Sequence, residues 1–470
     1  MRLLVVGGGI TGLAAAWEAV RGSSEPAEVL LVESSGRFGG KVHTEHTDGL
    51  LIEHGPDSFV AYRPAALQLA EELGLSDDVI STSGTRTVHL RARGRLQPMP
   101  AGMGMVLPSR LLPFVTTGIL SPADKLRAGL DLVLPRRLVA GQDTSIGAFL
   151  RARLGAGIVR RFADPMIGGI YGAGVDELSL DAVLPSLRVD ETAHRSLMLA
   201  ALAQGRRARS SAAKAGGRGP GSPFRTFTGG LGSLVDALVD QLVAAGADLR
   251  LNTRVTELRA AGGAAEAVLD DGTIETVDGV VLAGGVTSSA ALLAEPAPEA
   301  SSALARIPLA TSTVVTLAYP AAAFATPVTS HGWLEADAAP ISGITVSSAK
   351  WAGRAPEDTV LIRAFVPERL GAIAMADESE LLSAITCHLA TVLHATEPPS
   401  LVRVARWPAM MPKYAVGHLG TVADADAGLA HLPAWRLAGS ALRGVGVPDC
   451  IADGRRQAAL ALSSAARVGA

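Results

Sequence analysis

Short apolar runs and longer amphipathic stretches alternate along the chain. Leu3-Leu4-Val5-Val6 is unbroken, ends in glycine, and predicts a strand buried on both faces of a parallel sheet. Thr11 to Val20 carries helix formers around an apolar face, and Val29-Leu30-Leu31-Val32 repeats the buried-strand pattern before Glu33. Strand, helix and strand make one βαβ unit. Ala65 to Leu73 predicts a helix closed by Gly74. Pro122 to Asp131, Ser145 to Arg161 and much of Leu187 to Gln204 predict a mainly helical middle third. Leu231 to Ala245 is a further helix, followed by the strand Asp248-Leu249-Arg250-Leu251, which Asn252 to Leu258 continues. Asp271-Gly272 between apolar runs suits a two-residue hairpin turn. Val277 to Gly284 predicts another buried strand. Ala310 to Arg406 mixes strands with a helix over Glu378 to His394. The C-terminal stretch gives a strand, Trp435 to Ala438, a glycine-rich turn, and a helix from Ile451.

Composition narrows the class. A chain of 470 residues suggests roughly two to three domains at ~100–200 residues each. The balance of 42 basic against 45 acidic residues excludes a general electrostatic nucleic-acid binder. With 48% hydrophobic residues, the chain can fill a large core, which excludes disorder over most of its length. Cys387 and Cys450 allow at most one bridge and no cysteine-rich metal site; a cytoplasmic setting is expected. The apolar N-terminus holds Gly7-Gly8-Gly9 and lacks a small-residue cleavage site, which argues against a signal peptide. Ile307 to Leu334 has no Asp, Glu, Lys or Arg and exceeds the ~20 residues that span a bilayer. Pro308, Pro320 and Pro327 break it, so it predicts strands, with Thr313 to Leu317 as one. Gly205 to Pro223 sets Arg206, Arg207, Arg209, Lys214 and Arg218 among Gly, Ser and Ala, and predicts a flexible solvated loop.

The chemistry begins at Gly7-Gly8-Gly9-Ile10-Thr11-Gly12, which follows a strand and opens a helix. Gly7 makes the tight turn, Gly9 lets backbone approach a pyrophosphate, and Gly12 lets helix pack on strand. The helix N-terminus offers N–H groups and positive dipole to phosphate. Glu33, ending the second strand just before Ser34, is placed to bind a ribose hydroxyl; no arginine beside it favours an unphosphorylated ribose. A plain glycine turn is the alternative, but strand, glycines, helix, strand and acid in order favour dinucleotide binding. Gly36-Arg37-x-Gly39-Gly40-Lys41 and Glu53-x-Gly55-Pro56-Asp57-Ser58 are further turns whose small residues allow a cofactor to lie on backbone, with Arg37 able to meet phosphate.

Together these segments resemble the FAD-binding half of the flavin monooxygenase and amine-oxidase-like superfamily. Gly168-Gly169-Ile170-Tyr171-Gly172-Ala173-Gly174 with Leu178-Ser179-Leu180 narrows the likeness to the porphyrinogen oxidases. So do Arg225-x-Phe227-x-Gly229-Gly230, Arg406-Trp407-Pro408 with Pro412, Tyr414, Gly417 and His418, and Ala438-Gly439 followed by Gly444 to Ile451 and Gly454. The resemblance covers nearly the whole chain. It implies an α/β fold: an FAD-binding Rossmann-like domain, a mixed-sheet substrate domain and a mainly helical insertion. The expected boundaries are 1–85, 225–305 and 430–470 for the FAD domain, 86–104 and 306–429 for the substrate domain, and 105–224 for the insertion. It also implies that the Val255 backbone meets the adenine of a non-covalent FAD, with Trp407 and Gly446, Val447 and Pro448 at the isoalloxazine end. Cys450 and His418 are expected to be packing residues. Two departures, Ala283-Gly284-Gly285 and Gly172, bear on local backbone shape only.

Within the resembled family, the implied reaction is O2-dependent oxidation of coproporphyrinogen III to coproporphyrin III in porphyrin biosynthesis, releasing H2O2. The flavin carries the chemistry, so no catalytic side chain and no metal is expected. Four propionates call for cations, and Lys41, Arg63, Lys350 and Arg363 are the candidates. Val88 stands where the protoporphyrinogen-type enzymes carry an arginine, and Leu96-x-Pro98-Met99-Pro100-Ala101-Gly102-Met103 is similar to the Gram-positive form. The alternatives are a protoporphyrinogen IX oxidase, a flavin amine oxidase, a carotenoid desaturase, or a non-enzymatic escort of the same fold. Aromatics at 4% speak against an amine oxidase's aromatic cage. Met99 to Leu120, which follows Arg95 and contains Arg110, is expected to line the substrate cleft; a weak contact with the inner membrane face is the competing reading. The pattern leaves the oligomeric state open.

Overall fold

The computed structural model describes residues 1–22, 27–84, 88–138, 141–214 and 222–468. Five parallel strands form one sheet in the order Asp248–Arg250, Glu28–Val32, Arg2–Val6, Gly279–Leu282 and Trp435–Leu437. Leu3, Val5, Val29 and Leu31 enter the core on one face; Leu4, Leu30, Val280 and Leu282 enter the core on the other. That two-sided burial is why these strands read as continuous apolar runs. The helix Ile10–Arg21 covers one face and crosses the C-terminal helix Val447–Val468. A Cβ at Gly454 would stand 2.2 Å from the Thr11 carbonyl oxygen, so only glycine permits this crossing.

A second sheet has seven strands in the order Leu401–Pro412, Leu309–Pro320, Thr359–Pro367, Gly343–Val346, Gly332–Glu335, Val88–Ala92 and Arg95–Pro98. It is mixed, because Val88–Ala92 pairs parallel with Gly332–Glu335 while its other ladders are antiparallel. The charge-free run supplies the long strand Leu309–Pro320, whose Val315, Leu317 and Tyr319 pack under Leu381, Ile385 and Leu389 of the helix Glu378–Leu393. A separate helical core gathers Phe114, Phe149, Leu150, Phe162 and Ile167. Behind it lies a fully buried ion pair, Asp131 to Arg153 at 2.5 Å, whose carboxylate also accepts from the Ser196 hydroxyl at 2.7 Å.

Several boundaries differ from expectation. Strand Asp248–Arg250 does not run on: Asn252 turns left-handed at φ 51°, and the chain starts Val255–Ala261 in a different, three-stranded sheet. The Gly272 hairpin is a wider turn, with Gly272 N–H on Leu269 O and Leu269 N–H on Thr273 O; Gly272 takes φ +85°. The helix expected over Ser145 to Arg161 is broken at Gly155 and continues as a π-helical segment, Val159–Gly168, containing Pro165. Leu187 to Gln204 divides into Pro185–Ala193 and Leu197–Lys214. The second of these runs through the first part of the expected flexible loop; positions 215–221 lie outside the described residues. The last helix begins at Val447 instead of Ile451. In the 99–120 stretch Phe114, Ile119 and Leu120 are buried, while Leu111, Leu112 and Val115 are exposed. Among the described residues no helix is long and apolar enough to cross a membrane.

Candidate functional site

The glycine turn is built at close quarters. Gly7 has φ +107°, and a Cβ there would meet Gly284 Cα at 2.7 Å. The departure Ala283-Gly284-Gly285 thus belongs to the same close packing. A Cβ at Gly12 would collide with the Gly7 carbonyl, and one at Gly8 with the Phe38 ring at 2.6 Å. Gly9 differs: the nearest atom to its added Cβ is Gly40 Cα at 3.9 Å. No side chain caps the helix at Gly9, so no side chain competes with an anion at this helix N-terminus. A pyrophosphate fits this cradle, because space in front of Gly9 is kept clear by the absence of a side chain that the protein itself does not forbid.

Two loops complete the cradle. Glu33 accepts from Gly8 N–H and from Ser35 N–H, each at 2.8 Å, with the Ser34 hydroxyl at 3.4 Å. The segment delivering buried Val255 is tied to the same corner, since Asn252 N–H donates to Ser35 O and Thr253 N–H to Glu33 O. Gly39 N–H donates to Gly8 O, laying the 36–41 loop beside the glycine turn. Arg37 donates to the Phe38, Gly40 and Val42 carbonyls at 3.3, 2.5 and 3.3 Å. The structure gives this guanidinium a loop-organising task, and burial lowers its pKa.

Lys41 marks the opposite end. Its ammonium donates to Met410 O at 2.5 Å and the Ser440 hydroxyl at 3.0 Å, and burial lowers its pKa. A Cβ at Gly55 would lie 1.9 Å from Lys41 O, so the Gly55-Pro56-Asp57-Ser58 turn sits directly on this backbone. Trp407 donates to His54 O at 3.0 Å. His54 stacks on His43 with ring centroids 4.4 Å apart. Burial, then Arg37 and His54, pushes His43 down to about 4. Tyr414 donates to Ser440 O and accepts from Gly444 N–H, both at 2.7 Å, and stacks on His418. These bonds pin the Gly439 to Gly446 turn from which Val447 and Pro448 start the last helix, where proline suits a first turn. Burial raises the Cys450 thiol to about 11, so it is no nucleophile at neutral pH.

The four cations named as propionate candidates fall into different settings. Lys350 contacts Asp57 at 2.8 Å and Arg363 reaches it at 3.5 Å; Arg363 is also buried and donates to Gly55 O. Burial alone would raise the Asp57 pKa, but Lys350, Arg363 and the Ser58 hydroxyl outweigh it and hold it well below the carboxylate range. Lys350 and Arg363 therefore both face Asp57 and neutralise it. Arg63 is 52% exposed and pairs with Asp449. His43, two residues beyond Lys41, lies outside the sequence motifs; His54, Tyr414 and Asp449 lie inside them, but the motifs did not give the contacts that the structure shows.

The family model for flavin containing amine oxidoreductases matches residues 10–462. The chain is 57% identical over 480 residues to the coproporphyrinogen III oxidase of Propionibacterium freudenreichii subsp. freudenreichii, covering 97% of this chain and 90% of that one. It is 32% identical to the coproporphyrinogen III oxidase of Bacillus subtilis, covering 98% of both. A crystal structure of an Exiguobacterium sp. protein assigned as a protoporphyrinogen oxidase superposes with a TM-score of 0.85 at 30% identity, covering 98% of this chain and 99% of that one.

Proposed function

This chain belongs to the flavin containing amine oxidoreductase family, and from that premise we propose that it oxidises coproporphyrinogen III to coproporphyrin III with O2 as final acceptor. The observation that carries the proposal is the 57% identity, across nearly the whole chain, to a protein of that activity. It is a flavin-dependent oxidase, and the cofactor is FAD. Three rounds remove six hydrogens from the macrocycle and convert three O2 into three H2O2.

Bound FAD supplies the two-electron acceptor for hydride from a bridge carbon. In our reading Ile10, Thr11 and Gly12 hold its pyrophosphate, Glu33 its adenosine ribose, and the Val255 backbone its adenine. Lys41, Trp407 and Gly446 to Pro448 line the flavin end, where the Tyr414 bonds keep the turn in one shape. Asp57 with Lys350 and Arg363 fixes the Gly55 turn beneath it. Arg63, the exposed member of the four cations, takes a propionate. We place the enzyme in the cytoplasm, on its two-cysteine composition. A second reading, protoporphyrinogen IX as substrate, gains from the pairing of Lys350 and Arg363 with Asp57, which removes two cations from propionate binding. Anaerobically prepared porphyrinogens, admitted to O2 and followed by porphyrin fluorescence, decide between them.

A further inference from the structure

Arg63 and Asp449 join the loop after the Gly55 turn to the first turn of the C-terminal helix. The two partners are unequally placed: the arginine is 52% exposed and the carboxylate 18%. The cation stands in front and the carboxylate behind it. The turn beneath is shaped around Asp449, since a Cβ at Gly444 would lie 2.4 Å from Asp449 Cβ and one at Gly446 2.9 Å from its Oδ2. Tyr62 and Tyr171 lie within electrostatic reach of one another and of the pair. Tyr62, beside Arg63, is 70% exposed; Ile170, beside Tyr171, is 48% exposed. Gly172 brings that segment against Met411, next to exposed Met410. Burial and the Asp449 charge raise the Tyr171 hydroxyl to about 12, with Arg63 opposing, so it stays a donor. An exposed cation beside the exposed ring of Tyr62 suits a ligand with an apolar ring and an anionic edge.

Accepting the porphyrinogen reading above, we propose that Asp449 is a resident carboxylate that occupies Arg63 until a substrate propionate displaces it, making the pair a selectivity latch. Exchange of one carboxylate for another keeps the guanidinium paired throughout. The displaced Asp449 is not stranded, because it lies in the first turn of a helix, where N–H groups and the dipole favour negative charge. A ligand without a carboxylate has nothing to exchange and leaves the pair closed.

The test is binding of coproporphyrin III, the stable product, to the FAD-loaded enzyme, with its tetramethyl ester as the uncharged probe. Removing the internal competitor by Asp449→Asn should lower Kd for the acid about tenfold, the scale of one charged hydrogen bond. Arg63→Gln should weaken the acid by a similar factor and leave the ester unchanged. In the double variant the benefit of Asp449→Asn should vanish, since it acts through Arg63. Unchanged or weaker acid binding in a flavin-containing Asp449→Asn protein overturns the latch, as does a benefit that survives Arg63→Gln. Should Asp449→Asn lose its flavin, Arg63→Gln decides alone: equal effects on acid and ester overturn the proposal. Failure of the wild-type enzyme to form coproporphyrin would instead sink the reading of the reaction, and is measured separately.

Discussion

A Cβ built on Gly12 would stand 1.9 Å from the carbonyl oxygen of Gly7, whereas one built on Gly9, between them, meets nothing closer than 3.9 Å. The glycines of one turn therefore serve different needs. Gly12→Ala should destabilise the protein by about 1–3 kcal/mol through overpacking. Gly9→Val should leave the melting temperature of the apoprotein near that of wild type yet prevent FAD retention. Denaturation of apoprotein and flavin absorbance of purified protein separate the two effects; a Gly9→Val protein that stays yellow refutes the phosphate assignment.

Asp57 is the one carboxylate in contact with both Lys350 and Arg363 among the described residues. Asp57→Asn removes the partner of two shielded cations, and breaking such a pair costs about 3–5 kcal/mol. Urea denaturation should show that loss, and Lys350→Met in the same protein should recover part of it. Arg63→Ala, at an exposed pair, should cost less than about 1 kcal/mol. Similar losses in both variants would contradict the different settings of these cations.

How much of this was legible beforehand follows from range. The buried strands and the glycine fingerprint were, because periodicity and turn chemistry are local. The partner of Lys350 was not: Asp57 lies 293 residues away, and a cation's sign says nothing of which carboxylate it meets. Glycine and Pro448 made 444–450 read as a turn, although proline suits the first turn in which the structure places it. Asn252 hid the end of a strand because its left-handed φ depends on hydrogen bonding to the Glu33 loop, not on its neighbours. The buried Asp131–Arg153 pair was equally silent, being made between helices.

His43 gives a pH signature. Its folded pKa, about 4, lies below the ordinary 6.5, so the unfolded chain binds this proton first as pH falls. Stability from this group is present above pH 6.5 and is lost progressively down to pH 4. Asp57 acts lower: its stabilisation is present above the usual carboxylate range and is lost as pH falls through that range and below it. Melting temperatures between pH 7 and 5 should therefore fall less steeply in His43→Asn than in wild type. Parallel slopes would mean that His43 is protonated as readily folded as unfolded.

The substrate assignment is the most demanding expectation. Coproporphyrinogen III carries four propionates and protoporphyrinogen IX two, so the first offers more carboxylates to Arg63. A charged hydrogen bond is worth about 1.5–3 kcal/mol, so Arg63→Ala should lower kcat/KM for coproporphyrinogen III by about tenfold to a hundredfold. The loss should fall mainly on KM, because the propionate lies away from the reacting bridge carbon and is held alike in ground and transition states. Protoporphyrinogen IX should be the poorer substrate of the wild-type enzyme and lose less in the variant. Equal losses would reduce Arg63 to a general neutraliser of the cleft. Equal wild-type rates would leave the flavin oxidase intact and remove the selectivity, since Lys350 and Arg363 are already committed to Asp57.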